Sequence, residues 1–122
     1  MSKLVAIVGC ELAFKNPAAS GTIVVTTSPS YKATSEGNKV YADKIEFTIA
    51  EYKVGSFVQD PGTVSGSISG TASKATASGD ALVLEGDESE QITISGKVGS
   101  SASSASDIVY VKSAGQKVLK AT

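Results

Sequence analysis

At 122 residues the chain has one domain's length, enough for a single modest core, and residues 1–122 read as one β domain. Eleven basic residues against 12 acidic ones give a net charge of −1, which excludes a general nucleic-acid binder with its basic footprint. The absence of histidine and the single cysteine remove Ser-His-Asp and Cys-His catalysis, histidine metal sites, histidine pH switching and an internal disulfide.

The hydrophobic share is 41%, but much of it is alanine and valine, and only 6% of residues are aromatic. Small side chains bury little area each, at roughly 25 cal/mol per Å². Stability is therefore expected to lean on backbone hydrogen bonds, or on surface buried against a partner. No stretch reaches the ~18 apolar residues of a membrane span.

Residues 4–10, LVAIVGC, are an apolar run with strong β formers at Val5, Ile7 and Val8. As a first core strand, the run makes Cys10 a small buried hydrophobe. A lipoprotein signal is a second reading, since Ile7-Val8-Gly9-Cys10 loosely fits a lipobox behind Lys3. Its apolar part is shorter than a signal's hydrophobic region. A thiolate metal ligand or reactive cysteine is the third, and a metal would need ligands from several chains.

The Asn-Pro and Ser-Gly steps of 16–21, NPAASG, predict a turn. TIVVTT at 22–27 follows as a strand ended by Ser28-Pro29-Ser30. Glu36-Gly37-Asn38 marks a turn in the polar stretch 31–38. The next strand is expected over Val40–Val54, with Ile45, Phe47 and Ile49 facing the core and Lys44, Glu46 and Thr48 facing solvent. Lys44 and Glu46 read as a solvated face rather than a charged binding stripe.

Residues 55–62, GSFVQDPG, are expected to form a loop, with Phe57 and Val58 tucked under the sheet or set out as a contact surface. From Thr63 to Asp87 two runs of small residues predict a β-hairpin folded about Ser78-Gly79-Asp80. Gly62, Gly66 and Gly70 share one strand face, which signals either close approach by another strand or low complexity. They form no phosphate loop, because no Gly-Lys-Ser/Thr closes the pattern and Lys74 is misplaced for one.

Glu85, Asp87, Glu88 and Glu90 crowd one turn. Oxygen ligands for calcium are conceivable there, but the EF-hand spacing is missing. Paired carboxylates for glycoside hydrolysis are conceivable too, without an aromatic platform for the sugar. A solvated turn is the simpler reading. Gln91–Val98 alternates as a strand, while Ser100–Ser106, SSASSAS, reads as a loop or frayed strand end. Asp107–Lys112 is a clear strand, and Gln116–Leu119 is expected as a short last one. The sum is roughly seven to nine short strands and no helix, an all-β chain.

Three stretches carry a resemblance. They are the apolar opening with Gly9-Cys10, the run Gly37-Asn38-Lys39-Val40-Tyr41 before an alternating strand, and Gly70–Lys74 leading through Ser78-Gly79-Asp80 to Leu84-Glu85-Gly86-Asp87. Together they resemble the PAAR-like proteins, small β-domains that sharpen the spikes of phage tails and contractile injection systems. The resemblance implies a compact spike-tip body that caps a trimeric spike protein, touches the target membrane transiently and aids its puncture. It also implies a place at the tip of a virion tail or injection system; the short apolar opening makes no convincing signal peptide, so synthesis in the cytoplasm is expected. PAAR proteins proper resemble a cone closed by a metal on histidines and a cysteine, which a chain with no histidine and only Cys10 cannot build alone. No catalytic, cofactor or metal residues are therefore carried over, no cofactor is expected, and the partner-binding residues stay open. An immunoglobulin-like sandwich, as an adhesin or capsid decoration module, is the alternative, although the Cys…Trp…Cys hallmark is missing.

Overall fold

A computed structural model describes residues 3–4, 6–7, 10–26, 34–35, 38–39, 41, 44–71, 76–77, 80–115 and 120–121. Among these the chain is all-β, without a helix. The strands are β1 (Lys3–Leu4), β2 (Glu11–Phe14), β3 (Ser20–Val25), β4 (Thr34–Ser35), β5 (Asn38–Lys39), β6 (Lys44–Val54) and β7 (Phe57–Gln59). They continue as β8 (Val64–Ser69), β9 (Thr76–Ala77), β10 (Asp80–Ala81), β11 (Ile92–Val98), β12 (Ser101–Asp107), β13 (Val109–Ser113) and β14 (Lys120–Ala121).

The longest strand, β6, is the spine of a six-stranded antiparallel sheet ordered β12-β11-β7-β6-β3, with β8 also paired to β6. Its alternation drives this placement. Ile45, Phe47 and Ile49 are buried while Lys44 and Glu46 are exposed, as the sequence pattern requires. One edge of β6 is taken by β3, and the other is shared. β8 runs beside Lys44–Ile49, and β7 beside Lys53 and Val54.

The expected loop at 55–62 is therefore mostly a hairpin. Gly55 and Ser56 alone connect β6 to β7, and Gly55 has φ 57°, the positive first central residue of a II′ turn. Phe57 then points into the core and Val58 out to solvent. The hairpin expected over 63–87 is also redrawn. β8 does not fold back on the second run, because β6 offers it a six-residue ladder. Only a two-residue ladder, β9 with β10, flanks the Ser78-Gly79 step, which itself lies outside the described residues. The Glu36-Gly37 step also lies outside them, between the paired β4 and β5.

β12 is the largest departure from expectation. SASSAS is neither loop nor frayed end but a full strand, paired with β11 without interruption from Ile92↔Asp107 to Val98↔Ser101. Its side chains supply little. Gly99, at φ 63°, turns the chain tightly, and the backbone ladder does the rest. Beyond Asp107 the chain leaves this sheet at Ile108 and enters a smaller array, where β13 pairs with β2. The segment 86–89 joins this array through Gly86 N–H to Val111 O at 2.8 Å and Ser89 N–H to Val109 O at 2.8 Å. Residues 6–7 join through Ala6 N–H to Val83 O and Ile7 N–H to Ala114 O. The two arrays bury one common core, including Phe47, Ile49, Ile94, Val83, Val109 and Val111. The expected strand at Gln116–Leu119 lies outside the described residues, and β14 follows it.

Along β6 the alternation fails once, with a purpose. Glu51 adopts φ 58°, and the register against β3 slips between Ser20↔Lys53 and Thr22↔Ala50. This bulge moves the buried phase from odd to even positions, so that Tyr52 points into the core with no exposed surface. The Gln59 side chain satisfies the backbone there, accepting from Tyr52 N–H at 3.0 Å and donating to Ile49 O at 3.1 Å. Phe14 and Phe57 meet the Tyr52 ring edge-on, at centroid distances of 5.0 and 6.2 Å.

Of the three evenly spaced glycines, Gly62 and Gly66 do separate jobs. Gly62 turns the chain at φ 112°. Gly66 lies where a Cβ would stand 2.7 Å from Ile92 Cδ1 and 2.8 Å from Phe47 Cζ, so core side chains, not a neighbouring strand's backbone, come close. Gly96 is the tighter site, since its Cβ would meet Val58 O at 2.2 Å. Rings and methyls can rotate away, but a ladder carbonyl cannot. Gly66→Ala is expected to cost about 1–3 kcal/mol. Gly96→Ala should cost clearly more in the same urea melts, and equal costs would show that β7 and β11 can spread.

Candidate functional site

Cys10 follows the buried residues Ala6 and Ile7 and packs against the core, but it is half-buried rather than buried, and the described strand of this run is only Lys3–Leu4. Its N–H donates to Ile7 O at 2.9 Å. Burial pushes the thiol from its ordinary 9.0 up to about 11, which leaves it a poor thiolate nucleophile. Burial, and secondarily the charge of a Cys10 thiolate, holds the Tyr41 phenol above its ordinary value.

The acidic turn is not uniformly solvated. Leu84-Glu85-Gly86-Asp87 is a type II turn, with Asp87 N–H to Leu84 O at 3.0 Å and Gly86 at φ 92°. The Asp87 side chain folds back into it. One carboxylate oxygen accepts from Leu84 N–H at 2.8 Å and the other from the Thr71 hydroxyl. Asp87 is only 5% exposed, so this acid ties the turn to the body instead of facing water. Glu85 is partly buried and accepts from Ala114 N–H at 3.0 Å. Only Glu88 and Glu90 are exposed, and Glu88 pairs with Lys15. Among the described residues no group of three or more Cys, Asp or Glu side chains could hold a metal ion.

Lys44 and Glu46 lie on the solvent face of β6 with charged atoms 3.9 Å apart. Such an exposed pair contributes about 0–1 kcal/mol. Lys74 lies outside the described residues. Sequence reasoning missed a second buried acid, Asp107. It accepts from the Tyr52 hydroxyl at 2.7 Å, from Ile108 N–H at 2.7 Å and from Asn16 N–H at 3.2 Å. The Asn-Pro turn of the 16–21 stretch thus docks on the point where the chain changes arrays. Asn16 also closes its own turn, its side chain accepting from Ala18 N–H at 2.9 Å.

Two open clefts flank the sheet. One, of about 850 Å³, lies over the β6 bulge, with Glu51, Lys53 and Asp60 at its rim. The other, of about 680 Å³, separates β8 from residues 88–93 and is lined mainly by Ser65, Ser67, Thr71, Glu90, Gln91 and Thr93. Neither lining includes an aromatic ring or the cysteine. The remaining distinctive surface is backbone. β12 is the outer strand of the sheet, with β11 as its sole ladder partner among the described residues. Serine and alanine fill it from Ser101 to Ser106, with no charge.

Comparison with protein families, with curated proteins and with solved structures finds no match.

The raised thiol value has a stability consequence. A group protonated more tightly in the folded chain supports folding below its unfolded value, and that support fades as pH rises through the folded one. The Cys10 contribution is thus complete below pH 9.0 and lost on passing about 11. Between these values wild type is expected to lose stability faster than Cys10→Ala in parallel thermal melts. Equal alkaline slopes would mean that the thiol is solvated.

Proposed function

We propose that this protein is a structural spike-tip subunit of the PAAR-like kind, which caps the central spike of a phage tail or contractile injection system and aids membrane puncture. The observation that carries the reading is the closing Gly-Asp turn. Gly86 takes the positive φ that the turn demands, and Asp87 ties it to Leu84 and Thr71 in the stretch where the resemblance is strongest. A tip must also transmit force without deforming. Support for this comes from the described residues, among which no buried side-chain nitrogen or oxygen lacks a hydrogen-bond partner. Mechanical work of this kind needs no catalytic group. The subunit docks by backbone surface on a trimeric spike protein and meets the target membrane only transiently.

A second reading is an immunoglobulin-like β-sandwich, a decoration or adhesion module. Its supporting observation is the passage of one continuous stretch from β12 into β13 across Ile108, which makes two arrays share one core.

Affinity capture of the tagged protein from its native lysate separates the readings. Co-purification of a trimeric spike or baseplate, with particles that lose puncture when the protein is deleted, is expected. Recovery of capsid or cell-surface partners would support the module instead. A tight monomer whose loss leaves intact particles unaffected would overturn the tip reading.

A further inference from the structure

We propose that two copies of this chain pair in solution through β12, joining their six-stranded sheets across a two-fold axis. The inference concerns the free chain and is independent of the spike-tip reading.

An edge strand presents a row of unpaired N–H and C=O groups, and proteins that stay monomeric usually blunt it with charge, proline or a bulge. The two ends of this sheet differ in that respect. β3 carries Gly21 at a register slip that kinks its pairing with β6. From Ser101 to Ser106 β12 has none of these devices. Its seven pairs with β11 run without a slip, and Ser101–Ser106 contain neither charge nor proline. The strand is regular, and among the described residues only its β11 edge is paired.

The occupant follows from self-complementarity. Antiparallel pairing of two identical edges must set a residue opposite its own copy, because side chains on one face meet only same-face partners. With Ser103 on the axis, Ser103 meets Ser103, Ala102 meets Ser104, Ser101 meets Ala105 and Ser100 meets Ser106. Every opposition is Ser on Ser or Ser on Ala. No like charges meet, and Asp107 stays outside the paired segment, turned inward to Tyr52. Head-to-tail joining of β12 to β3 fits less well. The alternating directions across the sheet make that contact parallel, and β3 runs beside the β6 bulge with a register slip. Contact along one strand edge buries less than a standard interface, so the pair is weak and concentration-dependent.

Sedimentation equilibrium of the full chain over a wide concentration range tests this, read together with two variants at the exposed Ser103. Wild type is expected to shift from monomer towards dimer as concentration rises. Ser103→Lys and Ser103→Glu each place like charges across the axis and should stay monomeric, with circular dichroism and melting unchanged. An equimolar mixture of the two should recover dimer, now with opposite charges facing. A wild type that remains monomeric throughout would overturn the proposal, as would dimers that either variant leaves intact or variants that fail to rescue each other.

Discussion

A bulge in a long strand and one buried hydrogen bond organise this molecule. At Glu51 the backbone takes a left-handed turn inside β6, which throws Tyr52 into the core. The Tyr52 hydroxyl then donates to Asp107, the residue at which the chain leaves the six-stranded sheet. That bond spans 55 residues of sequence and joins the spine strand to the corner between the two arrays. The same carboxylate collects the backbone N–H groups of Ile108 and Asn16, fixing both the corner and the turn behind it. A charged acceptor in so dry a place is tolerated because its lone pairs are used. Burial, reinforced by this hydrogen bond and by the carboxylate's charge, holds the Tyr52 phenol well above its ordinary value. The donor therefore keeps its proton across the physiological range.

The β body was legible where side chains alternate. Ile45, Phe47 and Ile49 declared the core face of β6, and the Asn16-Pro17 step declared its turn. What escaped was structure written in the backbone. Ser101–Ser106 has no apolar alternation and reads as low complexity, yet a tight glycine turn and a regular partner suffice to make it a strand. The residues 63–87 looked like one hairpin because nothing local says that β6 will capture β8. Strand choice is a long-range competition that local propensity does not record. Charge misled at the acidic turn for a related reason. Asp87 and Glu88 are adjacent and chemically alike, but only the fold decides that one caps a turn while the other meets Lys15. The bulge at Glu51 carried no signal beyond the phase change from Ile49 to Tyr52. That change is visible in the sequence to a reader who counts past the last matching residue.

These features bear on function through rigidity and edges. The described residues include no group of three or more Cys, Asp or Glu side chains that could hold a metal ion, and the two larger clefts are open. The buried polar side chains instead tie backbone segments together: Gln59 at the bulge, Asp87 at the closing turn and Asp107 at the corner. Such a body suits a part that bears load or docks by strand edge, as the spike-tip reading requires.

The measurement that tests this account most directly is a double-mutant cycle on Tyr52 and Asp107, combining Tyr52→Phe with Asp107→Ala in denaturant melts at neutral pH. A bond to a buried charged acceptor predicts a coupling of about 1.5–3 kcal/mol between the two sites. Single-variant costs that add to within about 0.5 kcal/mol would show that the two residues act independently. The corner would then be held by packing alone.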